Sequence, residues 1–287
     1  MISVIVTSYN RLEYLKKAVE SIKSQERSDI EIVITDDCST DGSWDWIKEQ
    51  TLQSDKIIGV RQVKNYSAPC RPRNDGFLVS SGEFINFLDD DNEFLPGRIK
   101  TLIESFNPSI NVVYSTSLCV KNGKFIDPPW GIPPKRFDAD RLERINFVDN
   151  SEPIVRRAVF DKVGLFDEQL EWNEEWDLWR RIAKAGFTFL YVPQQLNRYS
   201  VHWDDSRTGM SSIWQESNIR IYNKHQRLRT YDVTIRLSGK KELQVSSFGQ
   251  FDKEQESSHT VLVYKHGTIQ PVEITTIVRE PLDETTS

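Results

Sequence analysis

The sequence predicts an α/β fold: a mostly parallel sheet flanked by helices over residues 1–229, then a small C-terminal antiparallel β appendage with a tail over 230–287. Three observations carry this. Apolar, β-branched runs alternate with segments of helical period through most of the chain. Polar and acidic residues gather where those runs end. After about residue 229 the pattern changes to short alternating runs separated by turn residues.

The elements follow in order. "ISVIVTSYN" is a strand ending in polar residues, and "RLEYLKKAVESIKSQ" places Leu12, Leu15, Val19 and Ile22 at helical spacing. "IEIVITDDCSTDGS" repeats the strand exit with Asp36 and Asp37, before a short helix "WDWIKEQ". A third strand "IIGVRQV" and a helix across "RPRNDGFLVSS" lead to a fourth strand, "EFINFLDDD". Near-continuous apolar strands of this kind are covered on both faces. "GRIKTLIESF" reads as a helix, "NVVYSTSLCV" as a strand closed by the turn "KNGK", and the Pro-rich "DPPWGIPPKRFDADR" as an irregular loop. "NEEWDLWRRIAKAG" is a helix ending at Gly186, "FTFLYVP" a strand, and "SSIWQESNIRIYNKHQRLR" a helix. "YDVTIRLSG", "KELQVSSF", "HTVLVYKHG" and "VEITTIV" are the strands of the appendage.

Composition removes several function classes. The net charge of −6 argues against a broad nucleic-acid footprint, so an anionic ligand has to be met locally. No run approaches the roughly 18 apolar residues of a membrane span, and the N-terminus enters a strand at once; a cytoplasmic protein without a transmembrane segment is expected. Cys38, Cys70 and Cys119 show neither a CxxC pair nor a disulfide framework.

Ligands of open α/β sheets bind at the carboxyl ends of the strands. Thr7, Ser8, Tyr9, Asp36, Asp37 and Asp89 to Asp91 all fall there. Three adjacent carboxylates repel one another, and a hard divalent cation, Mn2+ or Mg2+, resolves the repulsion while bridging to a diphosphate. The competing reading, that the aspartates cap the following helix or form a solvated turn, is the usual one for a charge run. The second acidic pair at the end of another strand favours a ligand site. Neither GxGxxG nor GxxxxGK[ST] is present, and the first loop "TSYNRLE" lacks the Gly- and Arg-rich character of sugar-nucleotide pyrophosphorylases.

Together, "ISVIVTSYNRLEYLKKAVESIKSQ", "IEIVITDDCSTDGS", "NDGFLVSSGEFINFLDDDNEFLPGRI" and "NEEWDLWRRI" resemble an inverting glycosyltransferase of family 2 with the Rossmann-like GT-A fold, over residues 1 to 225. "TSYN" and "DDNEFLPGRI" are similar to the bacterial spore-coat polysaccharide type. The resemblance implies that Thr7 and Tyr9 pack on a uracil or thymine ring and that Asp37 accepts its imide N–H, with Asp36 structural. It places Asp90 on the ribose hydroxyls, Asp91 on the metal and Asp89 on the donor sugar. Asn65 and "RPRN" imply Arg73 near the diphosphate or donor sugar, although Pro72 replaces the family's alanine. Glu175 stands where the family has its aspartate general base, with Glu174 as the fallback. His202 in "YSVHWDDS" would be a further metal ligand or a donor to the diphosphate.

Trp130 and Trp172 would line the acceptor groove, since sugars present C–H faces to indole rings, while Trp176 and Trp179 read as core. The resulting expectation is metal-dependent transfer of a sugar from a UDP- or dTDP-sugar to a hydroxyl of a carbohydrate acceptor, in surface polysaccharide or glycan synthesis. The alternatives are a catalytically inert sugar-nucleotide or glycan binding module and a scaffold in polysaccharide assembly. The basic stretch "KHQRLRTYDVTIRLSGKK" would suit a peripheral membrane contact and a lipid-linked acceptor, with a solvated face as the plainer account. Exposed strand edges in the appendage would allow a homo-oligomer.

Overall fold

The four apolar runs of the N-terminal half form β1 (Ile2–Ser8), β2 (Ile30–Asp36), β3 (Ile57–Gln62) and β4 (Phe84–Asp89), paired in parallel in the order β3-β2-β1-β4. The structure is a computed structural model that describes residues 1–25, 27–127, 136–170, 172–202, 229–238, 241–249 and 255–279. Both faces of these strands are covered. On one, α1 (Leu12–Lys23) buries Leu15, Ala18, Val19 and Ile22 in a core that also holds Val4, Val6, Ile32 and Ile34, beside α2 (Ser43–Gln53). On the other, Phe77 and Leu78 of α3 (Cys70–Val79) share a core with Ile5, Val33 and Phe87. α3 lies so close that a Cβ at Gly76 would fall 2.5 Å from Ile5 Cγ2 and 2.9 Å from Thr35 Cγ2. Only glycine permits that approach.

The sheet continues β4-β8-β6-β9-β5 through β5 (Glu93–Phe94), β6 (Val112–Lys121), β8 (Pro153–Arg156) and β9 (Phe189–Ser200), with β7 (Lys124–Ile126) hairpinned onto β6. Asn122 and Gly123 have φ of 50° and 75°, the paired left-handed residues that a two-residue hairpin demands. β6 and β9 are parallel and the other pairings in this half are antiparallel, so the sheet as a whole is mixed. The β6–β9 register slips between Tyr114↔Tyr191 and Thr116↔Gln195, next to Pro193, which has no N–H for the ladder. Helices α4 (Arg98–Glu104), α5 (Ala139–Leu142), α6 (Arg157–Val163) and α7 (Glu174–Lys184) complete this half. α5 begins inside the end of the stretch read from sequence as irregular; Asp138 caps it by accepting from the backbone N–H of Arg141 at 2.9 Å.

The C-terminal region forms β10 (Arg229–Leu237), β11 (Lys241–Gly249), β12 (Gln255–Lys265) and β13 (Thr268–Arg279), each antiparallel to the strand it pairs with in the order β11-β10-β13-β12. β12 pairs antiparallel with β3 from Val261↔Gln62 to Tyr264↔Gly59, so this unit continues the main sheet to thirteen strands. The helix expected across 211–229 lies outside the described residues except for Arg229, which opens β10. No helix among the described residues is long and apolar enough to cross a membrane.

Candidate active site

The strand register brings the acidic residues together. Thr7 of β1 stands opposite Thr35 of β2 and Asp89 of β4, and Ser8 opposite Asp36, so the acidic pair and the acidic triplet leave the sheet at the same, carboxyl end of the strands. Three loop residues there, Asn10, Cys38 and Ser67, and Asn173 before α7 adopt left-handed φ of 52°, 66°, 62° and 57° without being glycine. Such conformations are costly outside glycine and concentrate at functional sites. They surround a cavity of about 550 Å³ lined by, among others, Thr7, Tyr9, Arg11, Asp37, Tyr66, Arg73, Asp89, Asp90, Asp91, Trp172, Glu174, Tyr199 and His202.

At one end, Asp37 is buried and accepts from Asn65 Nδ2 at 2.9 Å and from the Tyr66 backbone N–H at 3.1 Å. Burial pushes its carboxyl up to about 6, against the opposing pull of the backbone donors. Tyr66 is flanked by the Arg71 guanidinium 4.7 Å from its ring centroid. Asp36 is fully buried, paired with Arg61 Nη1 at 3.1 Å and accepting from the Ser39 N–H, and does not line the cavity.

At the floor, Arg73 is buried and links two carboxylates: Nη2 to Asp89 Oδ1 at 2.6 Å and Nη1 to Glu174 Oε1 at 2.5 Å. Burial alone would loosen its proton, but Asp89 and Glu174 outweigh it and hold the charge firmly. Pro72 is compatible with this placement because it sits in the first turn of α3, where backbone N–H groups have no partner within the helix. Thr7 Oγ1 reaches Asp89 Oδ1 at 3.5 Å.

At the other end, Arg11 Nη1 lies 2.8 Å from Asp91 Oδ2 and 3.6 Å from Asp90 Oδ1, and His202 Nε2 lies 3.4 Å from the same Asp91 oxygen. Asp90 is buried, and burial followed by the Asp91 charge pushes its carboxyl up to about 7. Two donors held about 2.1 Å from one ion at a right angle stand about 3 Å apart, so Asp91 and His202 suit a shared divalent cation. Among the described residues no three His, Cys, Asp or Glu side chains form a complete cation site. A divalent ion held by Asp91 and His202 would need its remaining ligands from a bound nucleotide and water, a mixed set of the kind Mg2+ and Mn2+ accept.

The two glutamates opening α7 diverge. Glu174 lines the cavity, paired with Arg73. Glu175 is not among the lining residues; it is half-buried and its Oε1 accepts from Asn146 Nδ2 at 2.8 Å. Burial, then the neighbouring Glu174 charge, raises its carboxyl well above the usual range. Trp172 lines the cavity, whereas Trp130 lies outside the described residues. Trp176 and Trp179 are core residues whose indole N–H groups donate to the carbonyls of Leu142 at 2.6 Å and Val148 at 3.2 Å. Sequence reasoning did not single out Arg11, Tyr66, Asn146 or Tyr199; for Arg11 the available signal was a cation immediately after the first strand exit.

Residues 3–164 match the profile described as Glycosyl transferase family 2. The chain is 29% identical over 217 residues to a Campylobacter jejuni protein named GalNAc(5)-diNAcBac-PP-undecaprenol beta-1,3-glucosyltransferase, covering 72% of this chain and 67% of that one. Its fold is shared with S. aureus TarS 1-349 in complex with UDP-GlcNAc (TM-score 0.61, 19% identity, 77% of this chain and 65% of that one). The same holds for the mannosyltransferase PcManGT from Pyrobaculum calidifontis in complex with GDP-Man and Mn2+ (TM-score 0.54, 16% identity, 70% and 57%). The chain thus spans about two thirds or less of each of these proteins.

Proposed function

Because this chain belongs to glycosyl transferase family 2, we propose that it moves a sugar from a UDP- or dTDP-sugar to a carbohydrate hydroxyl with inversion, assisted by Mn2+ or Mg2+. The observation that carries this is the charge of the cavity: five carboxylates, Asp37, Asp89, Asp90, Asp91 and Glu174, against two guanidiniums, Arg11 and Arg73. A diphosphate entering such a cavity meets a net negative wall, and a divalent cation reverses the sign. Among the relatives, TarS is described with UDP-GlcNAc, PcManGT with Mn2+, and the Campylobacter protein by a lipid-linked acceptor. These support a uridine donor, a metal and a polyprenyl-diphosphate-linked acceptor here.

Each residue then has a role. Asp37 reads the imide N–H of the base while Thr7, Tyr9 and Tyr66 enclose the ring. Asp90 meets the ribose, and Asp91 with His202 would hold the metal, which would stabilise the departing diphosphate. Arg73, fixed between Asp89 and Glu174, holds the donor-sugar end of the cavity. Glu175, which stands where the family resemblance puts the general base, takes that role: the Asn146 amide donates to its carboxylate and fixes it at the start of α7. Glu174, neutralised by Arg73, is the weaker base. Trp172, which lines the cavity beside Glu174, offers its indole face to the acceptor sugar.

Calorimetric titration with UDP, with and without Mn2+, followed by donor turnover, tests this reading. UDP affinity rising at least tenfold with Mn2+ supports it. UDP binding that ignores the metal sinks the metal assignment, and metal-dependent binding without turnover favours the inert binding module.

A further inference from the structure

Arg11 stands where the metal reading puts a cation. Its backbone is fixed on both sides: the Asn10 N–H donates to Ser39 Oγ at 2.9 Å, Asn10 Oδ1 accepts from the Thr40 N–H at 2.7 Å, and the Leu12 N–H donates to Asp41 Oδ2 at 2.9 Å. From this anchored turn the side chain reaches 80 residues along the sequence to Asp91 Oδ2 at 2.8 Å, with Asp90 Oδ1 at 3.6 Å. The same Asp91 oxygen faces His202 Nε2. One carboxylate oxygen is therefore claimed by a guanidinium at the position a divalent ion shared by Asp91 and His202 would take. A guanidinium and a dication cannot crowd one oxygen without strong repulsion. The flexible stem of Arg11, 28% exposed and rooted in the rigid turn, is the part able to move.

We propose that Arg11 is a built-in counter-cation: in the donor-free protein its guanidinium neutralises the Asp90–Asp91 pair, a divalent ion binds by displacing it, and the released guanidinium closes on the donor diphosphate. This rests on the metal assignment above. It adds a consequence that the assignment lacks: the metal alone must bind weakly, because it competes with an internal cation, whereas metal and nucleotide together must bind cooperatively, because the displaced guanidinium gains a new partner. The cooperativity is reciprocal, each ligand tightening the other by the same factor.

Free Mn2+ measured by electron paramagnetic resonance, titrated into the wild type, Arg11→Met and Arg11→Lys with and without UDP, tests the proposal independently of turnover. The expected result is that Arg11→Met binds Mn2+ alone at least about tenfold more tightly than wild type, and that the factor by which UDP tightens Mn2+ shrinks several-fold. Arg11→Lys, which keeps a cation, stays near wild type for Mn2+ alone, and its circular dichroism controls for the fold. Equal or weaker Mn2+ binding by Arg11→Met, or an unchanged UDP factor, overturns the counter-cation role while leaving the metal site standing. Absence of Mn2+ uptake by wild type even with saturating UDP overturns both.

Discussion

Asp37 offers a trade of stability against recognition that is measurable in one variant. Its carboxyl rises from the ordinary 3.8 to about 6 because the group is buried, so the native state holds a proton that the unfolded chain has already released across that interval. The sign follows. Below about pH 4 both states are protonated and Asp37 costs nothing. Between about 4 and 6 the native state binds more protons than the unfolded one, so stability falls as pH rises, and above about 6 the whole penalty is present. A rise of this size corresponds to about 3 kcal/mol at neutral pH and above. Asp37→Asn removes the charge and, with its carbonyl at the Oδ2 position, still accepts from Asn65 Nδ2 and the Tyr66 N–H. Urea denaturation of wild type and variant between pH 4 and 8 should show the two converging at the acid end, with the variant about 1–3 kcal/mol more stable at pH 8. Calorimetry at pH 8 with UDP and Mn2+ should show the variant binding about tenfold or more weakly, since its amide turns a donor toward the imide N–H. A stability difference that does not change with pH would refute burial as the cause, and unchanged UDP affinity would remove Asp37 from the base pocket.

The other expectations concern α7 and the floor of the cavity. Glu175→Gln should lower kcat by about 10²- to 10⁴-fold while leaving the UDP–Mn2+ dissociation constant within a factor of about three, read by steady-state turnover and calorimetry. Asn146→Ala removes a donor to the ionised Glu175 carboxylate, so the acidic limb of the kcat–pH profile should move to higher pH; a profile that stays in place counts against Glu175 as the base. Arg73→Met leaves Asp89 and Glu174 without their shared buried partner and should destabilise the fold by about 3–5 kcal/mol in urea titration; Arg73→Lys, which restores charge without the fork, should recover part of this.

What could be read from the sequence, and what could not, divides by the range of the interaction. β1 to β4 were legible because parallel strands buried on both faces carry their own signature of near-continuous Ile, Val and Phe. Asp36, Asp37 and Asp89 to Asp91 were legible as strand exits. β5 and β8, two and four residues long, are too short for a period to register. The attachment of β12 to β3 leaves no sequence trace, since pairing at a sheet edge is made by backbone groups that every residue carries. Arg11 was missed for a similar reason. Next to a helix start it reads as surface charge, and only folding brings it to Asp91.

The same distinction accounts for the polar stripe of α3. Arg73, Asn74 and Asp75 are consecutive and all buried, a pattern that sequence periodicity alone would judge unfavourable for a helix packed on a sheet. Successive helical residues point about 100° apart, so each meets a different neighbour. Arg73 joins the end of β4 to α7. Asn74 donates to the Phe166 carbonyl at 2.9 Å and accepts from the Phe166 N–H at 3.0 Å, fixing the segment that leads to α7. Asp75 accepts from Gln62 Nε2 of β3 at 2.8 Å and meets His259 Nε2 of β12 at 2.9 Å. With Gly76 admitting the helix tightly onto β1 and β2, the orientation of α3 is set from the sheet, from α7 and from the C-terminal strands at once. A guanidinium that must stay between two carboxylates before any substrate arrives needs a helix held in this way, because rotation by a fraction of a turn would separate Arg73 from one acid and leave a buried charge unpaired.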